Sequence, residues 1–219
     1  MGLESVILVR HAQSEHHING LTGGWTDTPI TELGHRQAEL VAKRLRAELA
    51  GVEVRLVTSD FRRAHDTARH IASEFNIEAT LDPRLREFGN GVAAWMNAAE
   101  ARTRFPEPSG PWHPDYRHWP EGETWRDVHT RAGQFLESLS FDGALPIVVS
   151  HGGTIDALIA CWLRLSAEAF AGVGFAAHVT SITVLQQDEH GSRRVERVND
   201  TAHLNGTEGH ISLSQALRD

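Results

Sequence analysis

The sequence predicts an α/β fold: a three-layer α/β/α sandwich around a mostly parallel sheet, with an antiparallel edge strand. Two observations carry this expectation. Short apolar runs at Ser5–Arg10, 55–59 and 146–150 are each followed by apolar positions at helical spacing. Nearly continuous apolar strands of this kind belong to parallel sheets covered by helices on both faces. Toward the C-terminal end, runs at 180–187 and 193–199 flank Asp188-Glu189-His190-Gly191, a turn signal for a hairpin at a sheet edge. A chain of 219 residues is commonly one unit in this fold class, so residues 1–219 are expected to form a single domain.

The elements follow in order. After the first strand and a Gly-rich, Pro-containing loop, Ala38, Val41, Ala42, Leu45 and Leu49 mark a helix, with Thr31 placed to cap it and Gly51 to stop it. The second strand, 55–59, precedes an amphipathic helix carried by Ala64, Thr67, Ala68, Ile71, Ala72 and Phe75. From 89 to 124 the chain is richer in Pro, Trp and His and loses regular period, apart from one helix over 97–105. This segment reads as an excursion across the sheet, a specificity or cap insertion. Val128, Ala132, Phe135, Leu136 and Leu139 restore helical period before the third strand, and Ile155, Leu158, Ile159 and Trp162 mark the helix after it.

Composition narrows the partners. With 40% apolar and 23% charged residues the chain is expected to bury a substantial core. A net charge of −8 provides no general attraction to nucleic acid or to an anionic membrane, so neither is an expected partner. An anionic ligand must then be held by locally gathered cations. The lone Cys161 cannot form an intramolecular disulfide and reads as a core thiol. With no basic leader and no long apolar span, the expected location is cytoplasmic.

Three predicted strand ends deliver polar groups: Arg10-His11, 59–63, and Ser150-His151-Gly152-Gly153. Ligand crevices of open α/β sheets lie beyond the carboxyl ends of the strands, so these distant segments can converge. Two Arg and two His around one point suit a phosphoryl group, because guanidinium forks grip phosphate oxygens and imidazole serves as nucleophile, acid or ligand. The 14 histidines raise the question of a metal, but no His-Glu-x-x-His or Cys pair at ligand spacing is present. Neither metal nor organic cofactor is expected.

Four ordered segments carry a resemblance: Arg10-His11-Ala12-Gln13-Ser14-Glu15 with the following 24–34, Ser59-Asp60-Phe61-Arg62-Arg63-Ala64-His65-Asp66-Thr67-Ala68, Leu85-Arg86-Glu87-Phe88-Gly89, and Ser150-His151-Gly152-Gly153. Together they resemble the histidine phosphatase superfamily, which also contains the cofactor-dependent phosphoglycerate mutases. The resemblance spans roughly residues 5 to 205. It implies the phosphoglycerate mutase-like form of the sandwich and a phosphohistidine formed on His11. It further implies that Arg10, Arg63 and His151 surround the phosphoryl oxygens, and that Glu87 protonates the leaving oxygen before activating water. Phosphate or substrate contacts are also implied for His17, Gly152, Thr22 and Gly23.

Two positions depart from the pattern. Ala12 replaces a Gly, which suits the site unless that position needs positive φ. His17 stands where the family often has a phosphate-binding Asn, and can either donate to phosphate or turn toward the leaving group. The expected activity is metal-independent hydrolysis of a small phosphomonoester, with a phosphoramidate as a further substrate type. Mutases typically follow the acid with basic residues, whereas Glu87 is followed by Phe88-Gly89-Asn90-Gly91. Mutase-type transfer and a non-catalytic phospho-ligand binder are the alternatives. Trp95, His113, Tyr116, His118, Trp119 and Trp125 lie in or beside the excursion and are read as covering the mouth or packing a small subdomain. An aromatic, nucleoside or sugar phosphate is the favoured substrate, and the edge hairpin leaves a homodimer open.

Overall fold

A computed structural model describes residues 5–107, 113–139 and 143–207. The elements run β1 (Ser5–Arg10), α1 (Glu15–Ile18), α2 (Glu32–Glu48), β2 (Val54–Thr58), α3 (Arg62–Phe75), β3 (Ala79–Leu81), α4 (Ala98–Arg104), α5 (Trp125–Ser138), β4 (Leu145–Ser150), α6 (Gly152–Trp162), α7 (Ala167–Phe170), β5 (Ile182–Gln187) and β6 (Arg193–Asp200). They form one mixed sheet in the order β3-β2-β4-β1-β5-β6. The pairs β2–β3, β2–β4 and β4–β1 are parallel, while β5 and β6 are antiparallel. This is the expected architecture.

Strand alternation explains the layers. Along β1, Val6 and Leu8 point to one face and pack with Val148, Val128, Phe135, Ile155, Leu158 and Trp162 beneath α5 and α6. Ile7 and Val9 point to the other, where Ile147 and Val149 meet Val41, Leu45, Ala64, Ala68 and Ile71 from α2 and α3. Both faces of the central strands are therefore dry, which accounts for their continuous apolar runs.

Local signals acted largely as the sequence suggests. Thr31 Oγ1 accepts the Gly34 backbone N–H at 3.0 Å and caps α2, which ends before Gly51, a residue at φ +78°. Gly34 is required on other grounds, since a Cβ there would lie 2.1 Å from the Gln13 carbonyl oxygen. Asp188 Oδ1 accepts from the N–H groups of His190 and Ser192 and closes the β5–β6 turn. Three elements were not anticipated, among them the four-residue α7. β3 is a three-residue, largely exposed edge strand, and α1 and α7 are single turns, all below the length at which periodicity registers.

Residues 108–112 of the excursion lie outside the described residues. Within the rest, α4 occupies the predicted helix almost in full. Trp95 is 58% exposed and His113 is also exposed, so these two rings do not pack a small subdomain, the second of the two readings of this segment. Among the described residues no helix is long and apolar enough to cross a membrane.

Candidate active site

The parallel pairing ends the three strands level: Arg10 is in register with Ser150, and Thr58 with Val149. The residues that follow are thereby delivered to one place. His11 is 2% exposed and its backbone N–H donates to the Ser150 carbonyl at 2.9 Å. Its ring centroid lies 5.0 Å from that of His151, 5.6 Å from His17 and 6.1 Å from His16.

The hydrogen bonds assign the protons. His11 Nδ1 lies 2.7 Å from the carbonyl oxygen of Ala12, which can only accept, so Nδ1 carries the hydrogen and Nε2 keeps a free lone pair. Ala12 does not adopt positive φ, and its N–H donates to Thr67 Oγ1 at 3.0 Å, so alanine fits where the sequence pattern has glycine. Burial holds the His11 imidazole well below its ordinary pKa, with Arg63, His151, Arg10 and His17 adding to the effect. His11 is a neutral imidazole at neutral pH.

Arg63, 1% exposed, reaches from the start of α3. It donates through Nε to His151 Nδ1 at 3.1 Å, through Nη1 to the Thr26 carbonyl at 2.9 Å, and through Nη2 to the Gly24 carbonyl at 2.6 Å. Burial lowers its pKa to about 10, against the pull of Glu87 and Asp27. It remains a cation. Because His151 Nδ1 accepts from Arg63, its hydrogen sits on Nε2, which donates to Ser59 Oγ at 2.9 Å. Both nitrogens of His151 are thus engaged by protein, a detail that the motif alone does not convey.

Arg10 donates through Nη1 to the Ala177 carbonyl at 2.5 Å, and its buried Nε has no partner among the described residues. Its Nη2 lies 3.5 Å from His17 Nε2. His17 Nδ1 accepts the Ser14 backbone N–H at 3.1 Å, so the neutral ring carries its hydrogen on Nε2. Two N–H donors therefore face each other beside the His11 ring, an arrangement that an anionic oxygen between them would satisfy. Partial burial and the charges of Arg10 and Arg63 lower His17 to about 4, although its outer face is open to solvent. His16, 8% exposed, falls to about 3 through burial and its charged neighbours, and its Nδ1 is 2.8 Å from Ser14 Oγ.

Glu87 closes the cluster on one side. Oε1 accepts the Phe88 N–H at 2.8 Å and Oε2 the Gly153 N–H at 3.3 Å. Gly152 and Gly153 open α6, and Gly153 permits close approach: a Cβ there would lie only 2.9 Å from Glu87 Oε1, whereas one on Gly152 would make an ordinary 3.7 Å contact with the Arg10 guanidinium.

A pocket of about 430 Å³ continues from Glu87 and Gly153 between α4 and the aromatic rings of Phe88, Trp119 and Trp125. Thr22 and Gly23 line this pocket, Gly23 where it meets the His16 ring, and the Thr22 hydroxyl is occupied in donating to the Ala93 carbonyl at 2.6 Å. Of the expected site residues, Arg10, His11, His17, Arg63, His151, Glu87 and Gly152 gather in one cluster, and Thr22 and Gly23 stand beside it. Ser59, His16 and Asp156 were missed as members. Asp156 lies one turn into α6, where burial and the charge of Glu87 raise its pKa to about 7 against the Phe175 N–H and Arg10. Among the described residues no three His, Cys, Asp or Glu side chains are placed to hold a metal ion.

Comparison with known proteins places this geometry. Residues 6–201 match the model of the histidine phosphatase superfamily, branch 1. A probable phosphoglycerate mutase of Yersinia enterocolitica is 31% identical over 216 residues, covering 91% of this chain and 94% of that relative. Among solved structures, Bacillus stearothermophilus YhfR superposes with a TM-score of 0.79 at 26% identity, covering 91% of this chain and 98% of that one. The mycobacterial glucosyl-3-phosphoglycerate phosphatase gives 0.77 at 25% identity, covering 90% and 99%.

Proposed function

Since the chain belongs to the histidine phosphatase superfamily, branch 1, we propose that it is a phosphatase that hydrolyses a small phosphomonoester through a phosphohistidine on His11. The observation that carries the proposal is the state of His11: a neutral imidazole with its hydrogen held by the Ala12 carbonyl, a free lone pair on Nε2, and the charges of Arg10 and Arg63 and the stacked His17 ring close by.

Phosphoryl transfer asks chiefly for in-line positioning and neutralisation of oxygen charge. In this reading His11 Nε2 bonds to phosphorus as the bond to the alcohol oxygen breaks, and Glu87 passes its proton to that oxygen. Arg10, Arg63 and the His17 Nε2–H balance the phosphoryl oxygens. His151 holds Arg63 through Nδ1 and keeps its guanidinium in place. Water then attacks phosphorus, Glu87 accepts its proton, and the P–N bond breaks to release phosphate and restore neutral His11. The positive charge that balances the phosphoryl group in these steps comes from Arg10 and Arg63.

The wall beyond Glu87 favours hydrolysis over mutase-type transfer. Phe88 packs against Trp119 and Trp125 at ring distances of 5.8 and 4.8 Å, and Asn90 is spent on the Trp25 N–H, Thr22 and Gly23. No cationic set for a second phosphate stands there among the described residues. The relative from Yersinia is named a probable phosphoglycerate mutase, so the test must separate the two reactions.

The experiment is phosphate release from sugar, nucleotide, amino-acid and glycerate phosphates in EDTA, with His11→Ala as control. Release that resists the chelator and requires His11 is the expected result. Isomerisation of a phosphoglycerate without phosphate release would replace hydrolysis by mutase transfer. His11→Ala turning over at the wild-type rate would remove the nucleophile.

A further inference from the structure

The 430 Å³ pocket is larger than a glycerate needs, and its walls are apolar: Leu21, Ala98 and Ala101 on one side, Phe88, Trp119 and Trp125 on the other. Most of its polar groups are already engaged, as Thr22 donates to Ala93 and Asn90 Nδ2 to Thr22 and Gly23. His118, held below its ordinary pKa by burial, adds no cation at neutral pH. Two donors remain. Arg102, on the exposed face of α4, makes no ion pair or side-chain hydrogen bond among the described residues, and the buried Trp119 Nε1–H has no partner there either. A pocket of aromatic walls with an unpaired guanidinium at the end away from Glu87 selects a ring that ends in an anionic group.

We propose that this pocket binds the leaving group of the substrate, and that this leaving group is a ring-bearing alcohol whose far end carries one carboxylate for Arg102. The proposal rests on the phosphatase reading for its reaction but on the pocket alone for its ligand. The ring stacks among Phe88, Trp119 and Trp125, and its hydroxymethyl oxygen lies toward Glu87 as the phosphoester. A second phosphate in place of the carboxylate would meet a single guanidinium, so short polyanions are disfavoured.

The test compares benzyl phosphate, 4-(carboxymethyl)benzyl phosphate, glycerol 3-phosphate and 3-phosphoglycerate, all esters of primary alcohols, so that leaving-group acidity does not dominate the ranking. The carboxylated benzyl ester is expected to exceed both three-carbon esters in kcat/KM by at least about tenfold, the scale of one buried ring contact plus one charged hydrogen bond. Arg102→Ala should reduce the ratio of carboxylated to plain benzyl ester toward one, and Arg102→Lys should restore part of it. Trp119→Leu should reduce both ring esters relative to glycerol 3-phosphate. Equal use of all four, preference for 3-phosphoglycerate, or an unchanged ratio in Arg102→Ala would overturn the proposal. Titration of His11→Ala with the carboxylated ester, followed by tryptophan fluorescence, separates binding from chemistry. Saturable, Arg102-dependent binding without turnover by the wild type would support the pocket assignment and refute the phosphatase reading. Turnover without ring preference would do the reverse.

Discussion

Keeping His16 neutral should make the fold sensitive to mild acid. His16 is 8% exposed, and its pKa falls from the ordinary 6.5 to about 3 through burial, His17, Arg63 and Arg10. A base with a depressed folded pKa binds its proton more readily in the unfolded chain, so stability is lost as pH falls below 6.5 and continues to fall toward 3. The slope approaches about 1.4 kcal/mol per pH unit, and between pH 7 and pH 5 the loss from His16 alone comes to about 2 kcal/mol. The assay is urea denaturation of wild type and His16→Gln at both pH values, comparing differences rather than absolute stabilities. His203 is lowered to about 4 by its own burial and by Arg44, and contributes equally to both proteins. The variant should lose about 2 kcal/mol less than wild type over this interval. Parallel losses within about 0.5 kcal/mol, the usual scatter of additive sites, would refute the reasoning.

Other expectations follow from the same contacts. Glu87→Gln should slow alkyl phosphates by on the order of 100-fold while slowing 4-nitrophenyl phosphate much less, because the nitrophenolate leaves without a proton; equal losses would remove Glu87 as the acid. Gly153→Ala puts a methyl 2.9 Å from Glu87 Oε1, so kcat should drop roughly tenfold as the carboxylate shifts. The same change adds helix propensity to α6, so thermal stability should not fall with it; an unchanged kcat would show that Glu87 needs no such placement. Arg44→Ala removes a fork on Asp200, with Nη1–Oδ1 at 3.0 Å and Nη2–Oδ2 at 2.5 Å, and a 2.7 Å contact to Glu48. It should cost about 1–2 kcal/mol of stability in urea and leave kcat/KM intact, since none of these groups borders the pocket.

The layers were legible because both faces of β1 and β4 are buried, and a short strand stays apolar at consecutive positions only when neither of its faces meets water. The imidazole cluster was legible for a related reason: Arg10-His11 and Ser150-His151 sit directly at strand ends, where topology leaves little freedom. What escaped was set by side-chain partners far apart in sequence. Nothing around Thr22 announces that its hydroxyl belongs to Ala93, and nothing around Ser59 announces His151. The direction of His17 depends on one local bond, the Ser14 N–H to Nδ1, which turns Nε2 toward Arg10 and leaves the donor reading of that residue the better supported one. Asp156 reads in sequence as a polar position on a helix, and becomes notable only because Glu87 and Arg10 arrive from other segments.

The outer rim of the sheet has a consequence for how this chain behaves in company. β6 is the last strand on its side, and it is studded with Arg193, Arg194, Glu196, Arg197 and Asp200; Arg197 and Asp200 are tied back to Glu48 and Arg44 of α2. The opposite rim is the three-residue β3. An unfinished sheet invites foreign strands to add on, and a short rim at one side with a charged, tethered one at the other gives them little to template upon. Among the described residues, then, both rims of a dry, strongly β-prone interior are poor templates for accretion.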